Sequence, residues 1–128
     1  MLIIEDDVKR AMVSWLTTQG YSSVEARLGT RQGYDVEGKH PASGKRLVIE
    51  CKGEASTGDQ HSRSWSNVAS AILTSLNETE ELENANDVGV AFPDTKEYRG
   101  RMSLLHAFCK RQNIFVYWVA ENGQVTQW

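Results

Sequence analysis

The sequence contains only two cysteines and two prolines in 128 residues, and it has little else that would impose an unusual architecture. Cys51 and Cys109 fall inside apolar segments rather than in a spaced framework, which fits reduced thiols and not a disulfide scaffold. No apolar run approaches the roughly 20 residues that a membrane-spanning helix needs. The acidic N-terminal stretch lacks the basic-then-apolar plan of a signal peptide, so the expected location is the cytoplasm. Histidine is scarce, at three. With no second Cys or His pair at ligand spacing, His61 and Cys51 do not make a zinc site. A basic surplus is also missing: 14 Lys and Arg against 17 Asp and Glu give a net charge of -3 and a pI near 5.6. Attraction to nucleic acid must therefore come from a local basic surface, a homodimer or a partner subunit. No internal repeat or low-complexity tract appears. What remains is an ordinary globular composition, read as one domain over 1-128 that buries roughly two-thirds of its unfolded surface.

The run Arg46-Leu47-Val48-Ile49-Glu50-Cys51-Lys52-Gly53 is apolar and partly β-branched, yet it carries a carboxylate and an amine two residues apart. In a strand, Glu50 and Lys52 leave by one face, and Ile49 and Cys51 by the other. Two charges in a strand interior are tolerable only if they pair or bind something. Upstream, Gly33-Tyr34-Asp35-Val36-Glu37-Gly38 reads as a second strand, joined to the first through the turn-forming His40-Pro41-Ala42-Ser43-Gly44. If the tight part of the loop is Pro41 to Gly44, His40 faces Lys45, and counting back sets Asp35 opposite Glu50. Opposed residues share a face. Two carboxylates about 4 Å apart repel by roughly 4 kcal/mol at an effective dielectric near 20. A hard cation such as Mg²⁺, for which Mn²⁺ can substitute, relieves that repulsion through oxygen ligands. Lys52 beside the carboxylates is then placed to meet an attacking water or a phosphoryl oxygen, the layout of metal-assisted phosphodiester hydrolysis. Neutralising either carboxylate is expected to leave the metal-free protein as stable as before or slightly more so.

At these residues the chain resembles the PD-(D/E)XK nuclease superfamily, with its restriction-endonuclease-like fold. Asp35 matches the metal-binding Asp, and Glu50 with Lys52 matches the (D/E)XK; Tyr34 stands where the pattern has Pro. The resemblance implies a Mg²⁺-dependent nuclease with DNA as the expected substrate, acting structure-selectively or within a defence or repair assembly. It also implies that Asp35, Glu50 and the main-chain carbonyl of Cys51 hold the metal. A first-helix glutamate reaches the metal in several branches, which makes Glu5 a candidate; its other reading is a solvated residue in an acidic first turn. The alternative to an enzyme is a catalytically silent domain of this fold that binds nucleic acid or a protein partner.

The order of elements agrees with an α/β three-layer core, αβββαβαβ, in which a mixed sheet is flanked by helices. Residues 3 to 19 carry an apolar helical stripe of Ile4, Val8, Ala11, Met12, Trp15 and Leu16. Tyr21 to Gly29 alternates as a first strand, and the 33 to 52 hairpin follows. Asp59 can cap a helix whose stripe is Trp65, Val68, Ala69, Ile72, Leu73 and Leu76. After an acidic run from Glu78 to Glu83 come a buried strand at Asp87 to Phe92, a helix over Glu97 to Gln112 and a strand at Ile114 to Val119. The helix is expected to bury Met102, Leu105, His106, Phe108 and Cys109. Trp15 and Trp65 are expected in the core, and His40 in its turn. Gln60 is read as a helix-start residue or a polar group near the site. Lys39, Lys45 and Arg46 at the hairpin tip, with Arg63 and then Arg99 and Arg101, are the candidates for tracking a phosphate backbone.

Overall fold

The computed structural model describes residues 2–29, 34–80 and 86–128. Gly33 of the hairpin and positions 81 to 83 of the acidic run lie outside the described residues. The elements are α1 (Glu5–Thr18), β1 (Ser22–Ala26), β2 (Val36–Lys39), β3 (Arg46–Cys51), α2 (Gln60–Glu80), β4 (Asp87–Pro93), α3 (Lys96–Met102), a 3₁₀ turn (Ser103–Leu105), α4 (His106–Arg111), β5 (Ile114–Val119) and β6 (Val125–Gln127). The six strands form one mixed sheet in the order β1-β2-β3-β4-β5-β6. Strands β3, β4 and β5 run parallel, and the outer pairings are antiparallel.

Strand alternation divides the interior into two cores. Leu47, Ile49, Cys51, Ala91, Tyr117 and Val119 meet Val8, Met12 and Leu16 of α1 on one face. Val48, Val88, Val90, Phe92, Val116 and Trp118 meet α2, α3 and α4 on the other. Cys51 and Cys109 are free and buried, as their apolar surroundings suggested. Among the described residues no helix is long and apolar enough to cross a membrane.

Four expectations are corrected. The order gains a strand, since β6 follows the Asn122-Gly123 turn and pairs back onto β5. The third helix is two short helices with the 3₁₀ turn between them; Tyr98, Met102 and Cys109 are buried, Leu105, His106 and Phe108 are half-buried, and Leu104 projects into solvent. The α2 stripe is rotated by roughly a quarter turn. Its buried line is Ser64, Val68, Ala71, Ile72 and Ser75, whereas Trp65 and Leu73 are exposed. Small residues on that line let α2 lie close to the sheet. Ile3 rather than Ile4 is the apolar residue buried ahead of α1.

Candidate active site

The hairpin register sets the geometry. His40 donates its N–H to the Lys45 carbonyl at 2.8 Å, and the pairs Lys39–Arg46 through Val36–Ile49 follow in step. His40 is a turn residue, its Nδ1 accepting the N–H groups of Ala42 and Ser43. The same count carried one residue beyond the last pair sets Asp35 level with Glu50, and Asp35 Oδ2 accepts the N–H of the next residue, Cys51. The Asp35 charge acts on the Glu50 carboxyl. Lys52 Nζ lies 3.6 Å from Glu50 Oε1. Glu50 shares its strand face with Val48, so it looks toward α2; above it, the Tyr34 hydroxyl donates to Glu78 Oε2 at 2.8 Å.

Asp35 is fixed from several directions. Its carbonyl accepts the Arg27 N–H at 2.9 Å, and its Oδ2 accepts the Cys51 N–H at 2.8 Å. Its Oδ1 is 3.6 Å from the ammonium of Lys9. Lys9 was not apparent as a site residue in the sequence, yet its side chain is only 2 % exposed. It also lies 3.1 Å from Glu5 Oε2 and 3.8 Å from Asp6 Oδ1, and it donates to the Arg27 carbonyl at 2.6 Å. Burial pulls the Lys9 ammonium down, but the bond to Glu5 and the charges of Asp35, Glu5 and Asp6 outweigh it, so its pKa is raised. The i,i+4 spacing of Glu5 and Lys9 was a readable signal; the third carboxylate, delivered from another element, was not.

Burial, reinforced by the charge of Asp35, pushes the Glu50 carboxyl up to about 7 against the opposing pull of Lys52. Two oxygen-donor side chains suit a hard divalent ion. Among the described residues, however, no three His, Cys, Asp or Glu side chains converge on a metal position. Of the expected set, Glu5 is paired with Lys9 at 3.1 Å, and the Cys51 thiol points into the opposite core. Burial, then the charges of Asp35, Glu50 and Glu5, hold that thiol well above its usual pKa, so it stays protonated. Only the Cys51 carbonyl is open to a ligand role. The Cys51 N–H goes to Asp35 and the Lys52 N–H to the Ala91 carbonyl, and a strand residue sends its N–H and C=O to the same side. The Cys51 carbonyl therefore faces the Asp35 side.

The unfolded-state value of Glu50 is the ordinary carboxylate one, so the metal-free protein is expected to be most stable below about pH 4.5 as far as this group is concerned. Stability is then lost as pH rises to about 7 and levels off above, by on the order of 3 kcal/mol, because each tenfold change in proton affinity is about 1.4 kcal/mol. Urea denaturation in EDTA should show Glu50→Gln flattening that slope. The geometry revises the matching expectation for Asp35: Asp35→Asn removes a counter-charge from buried Lys9 and should destabilise. Equal effects of the two substitutions would mean that Lys9 does not depend on Asp35.

The other candidates are dispersed. Lys45 pairs with Asp87 at 3.1 Å, and Arg46 pairs with Glu37 while lying over the Tyr34 ring. Lys39 is exposed with no ion-pair partner among the described residues. Arg63 is exposed in the first turn of α2. Arg99 is clamped on Asp94. Arg101 lies over Trp65, 5.3 Å from the ring centroid, and donates to the His61 carbonyl at 2.6 Å. Asp59 caps α2 through the His61 N–H at 3.0 Å. The Gln60 amide both donates to the Ala55 carbonyl and accepts its N–H, which ties down the loop after the motif.

No protein-family model matches the sequence, and no curated protein matches it significantly. Among solved structures the chain is similar to an XisH family protein from Nostoc punctiforme PCC 73102, at a TM-score of 0.62 over 96 % of this chain and 98 % of that one. Sequence identity is 14 %, so the likeness is one of fold: over nearly its whole length the chain has the α/β architecture of that protein.

Proposed function

We propose that this protein is a Mg²⁺-dependent nuclease of the restriction-endonuclease-like fold that hydrolyses phosphodiester bonds in DNA, working in the cytoplasm as a homodimer or as a subunit of a larger assembly. The observation that carries this reading is the hairpin register, continued by the bond from the Cys51 N–H to Asp35 Oδ2 and the Lys52–Glu50 ion pair. Asp35, Glu50 and the Cys51 carbonyl are the groups that would hold the ion. Bound there, Mg²⁺ would supply Lewis-acid stabilisation of a phosphoryl oxygen and lower the pKa of water. Lys52 orients the attacking water and offsets the charge that develops on the phosphoryl group.

The basic hairpin tip is an unfavourable place for the substrate, since Lys45 lies roughly 16 Å along the strand from Glu50 at about 3.3 Å per residue. Two of its three cations are also neutralised by acidic partners. The start of α2 suits a phosphate backbone better. Asn67 reaches the Gly53 carbonyl just past the motif, and one turn earlier stands Arg63, with exposed Trp65 and Arg101 alongside. An exposed tryptophan next to arginine fits stacking on an unpaired base.

The test is incubation with single-stranded, duplex and branched DNA and RNA in Mn²⁺, then in EDTA. Cleavage in Mn²⁺ or Mg²⁺ that EDTA abolishes and Asp35→Ala lacks is the expected result. A protein that binds neither ion and leaves every substrate intact would instead be a silent domain of the same fold, binding nucleic acid or a protein partner.

A further inference from the structure

We infer that Lys9 is a fixed, protein-supplied cation that fills the second-ion position beside Asp35, limiting the centre to one divalent ion and holding Glu5 as the partner of an ammonium instead of as a metal ligand. This rests on the nuclease reading and deepens it. Lys9 stands between the two residues that a second ion would bridge, 3.1 Å from Glu5 Oε2 and 3.6 Å from Asp35 Oδ1. Paired catalytic metals lie about 3.5 to 4 Å apart and share a bridging carboxylate. The ammonium thus occupies the volume on the α1 side of Asp35 where such an ion would sit. Its hold there is more than incidental. The Lys9 ammonium donates to the Arg27 carbonyl at 2.6 Å and lies within ion-pair distance of the carboxylates of Glu5, Asp35 and Asp6, and its side chain is sealed from solvent on α1. A surface lysine would swing aside for a divalent ion; this one would have to abandon a carbonyl and three carboxylates.

The division of Asp35 follows. Its Oδ1 faces Lys9, while its Oδ2 takes the Cys51 N–H and keeps lone-pair capacity toward Glu50. A single ion would be held from the Glu50 side of Asp35, and on its other side Oδ1 already faces the Lys9 ammonium. Lys9 is accordingly a positioning residue, acting on the reaction through Asp35.

The experiment counts ions. Mn²⁺ titration of the full chain, followed by electron paramagnetic resonance, reads both the stoichiometry and the magnetic coupling of close ion pairs. The wild type is expected to bind one uncoupled Mn²⁺. Lys9→Met, which keeps the apolar stem but not the charge, should bind two coupled Mn²⁺, and adding Glu5→Gln should return it to one. Two Mn²⁺ in the wild type, or one in Lys9→Met at saturation, overturns the inference and leaves the nuclease reading standing. No Mn²⁺ in the wild type overturns the nuclease reading itself, and the inference with it. Should Lys9→Met not fold by circular dichroism, Glu5→Gln alone decides: Mn²⁺ affinity within tenfold of wild type supports Glu5 as a partner of Lys9, and a larger loss makes it a ligand.

Discussion

Gly53→Ala is expected to cost about 3 kcal/mol or more of stability, near or beyond the top of the usual range for overpacking a buried position. A Cβ at Gly53 would lie 2.1 Å from the Glu5 nitrogen, 2.5 Å from the Ile4 carbonyl carbon and 2.7 Å from the Glu5 Cα. These are backbone atoms, so no rotamer change can clear them. Reaching an ordinary contact near 3.5 Å requires α1 to back away by more than about 1 Å. The movement would break the Glu54 N–H bond to the Ile3 carbonyl, now 2.8 Å, and strain that of the Ile3 N–H to Glu54 Oε1. The other side of the glycine gives no room either, because its carbonyl is held at 2.7 Å by the buried Tyr98 hydroxyl. Urea denaturation at neutral pH measures the loss as a lower midpoint at an unchanged slope. Wild-type stability would mean that the start of α1 is not seated on Gly53. The consequence reaches the site, because α1 carries Glu5 and Lys9: a shifted helix start moves the ammonium relative to Asp35.

That packing explains which parts of this protein could be read from its residues. The register of β2 on β3 was legible because a short Pro-and-Gly turn fixes the count, and the count alone sets Asp35 opposite Glu50. β4 and β5 were legible as dense β-branched and aromatic runs bounded by turn residues. Gly53, by contrast, only ends the apolar run in the sequence; its need for glycine comes from the approach of the Ile4–Glu5 backbone, which no local pattern records. α2 misled for a related reason. Its sheet-facing line uses Ser64, Ala71 and Ser75, so the larger Trp65 and Leu73 defined an apolar stripe that faces outward. Only three residues long, β6 offered too little alternation to recognise. Lys9 was invisible as a site residue because its burial depends on Asp35 and the Arg27 carbonyl arriving from the sheet. In that neighbourhood one buried lysine draws together carboxylates from α1 and from the hairpin.

Lys52→Ala is expected to lower the cleavage rate by about 10² to 10³, the usual loss when one preorganised electrostatic partner is removed, while leaving metal binding largely intact at alkaline pH. The pH matters because Lys52 sits 3.6 Å from Glu50 and pulls its pKa down. Without the lysine, Glu50 holds its proton to still higher pH, and at neutral pH a protonated Glu50 is a poor ligand. A rate loss at pH 7 alone would therefore place Lys52 behind Glu50, tuning a ligand. A loss that persists near pH 9, at saturating Mn²⁺, would place it at the reacting atoms. DNA binding measured separately in Ca²⁺ keeps a binding defect from passing as a chemical one. Asp35→Ala should behave differently, losing metal binding and cleavage together at every pH and losing stability as well, since buried Lys9 is then short of a counter-charge. Cleavage by Lys52→Ala at the wild-type rate at both pH values would make the lysine an ion-pair partner of Glu50 and nothing more, and would take from the nuclease reading its most specific residue.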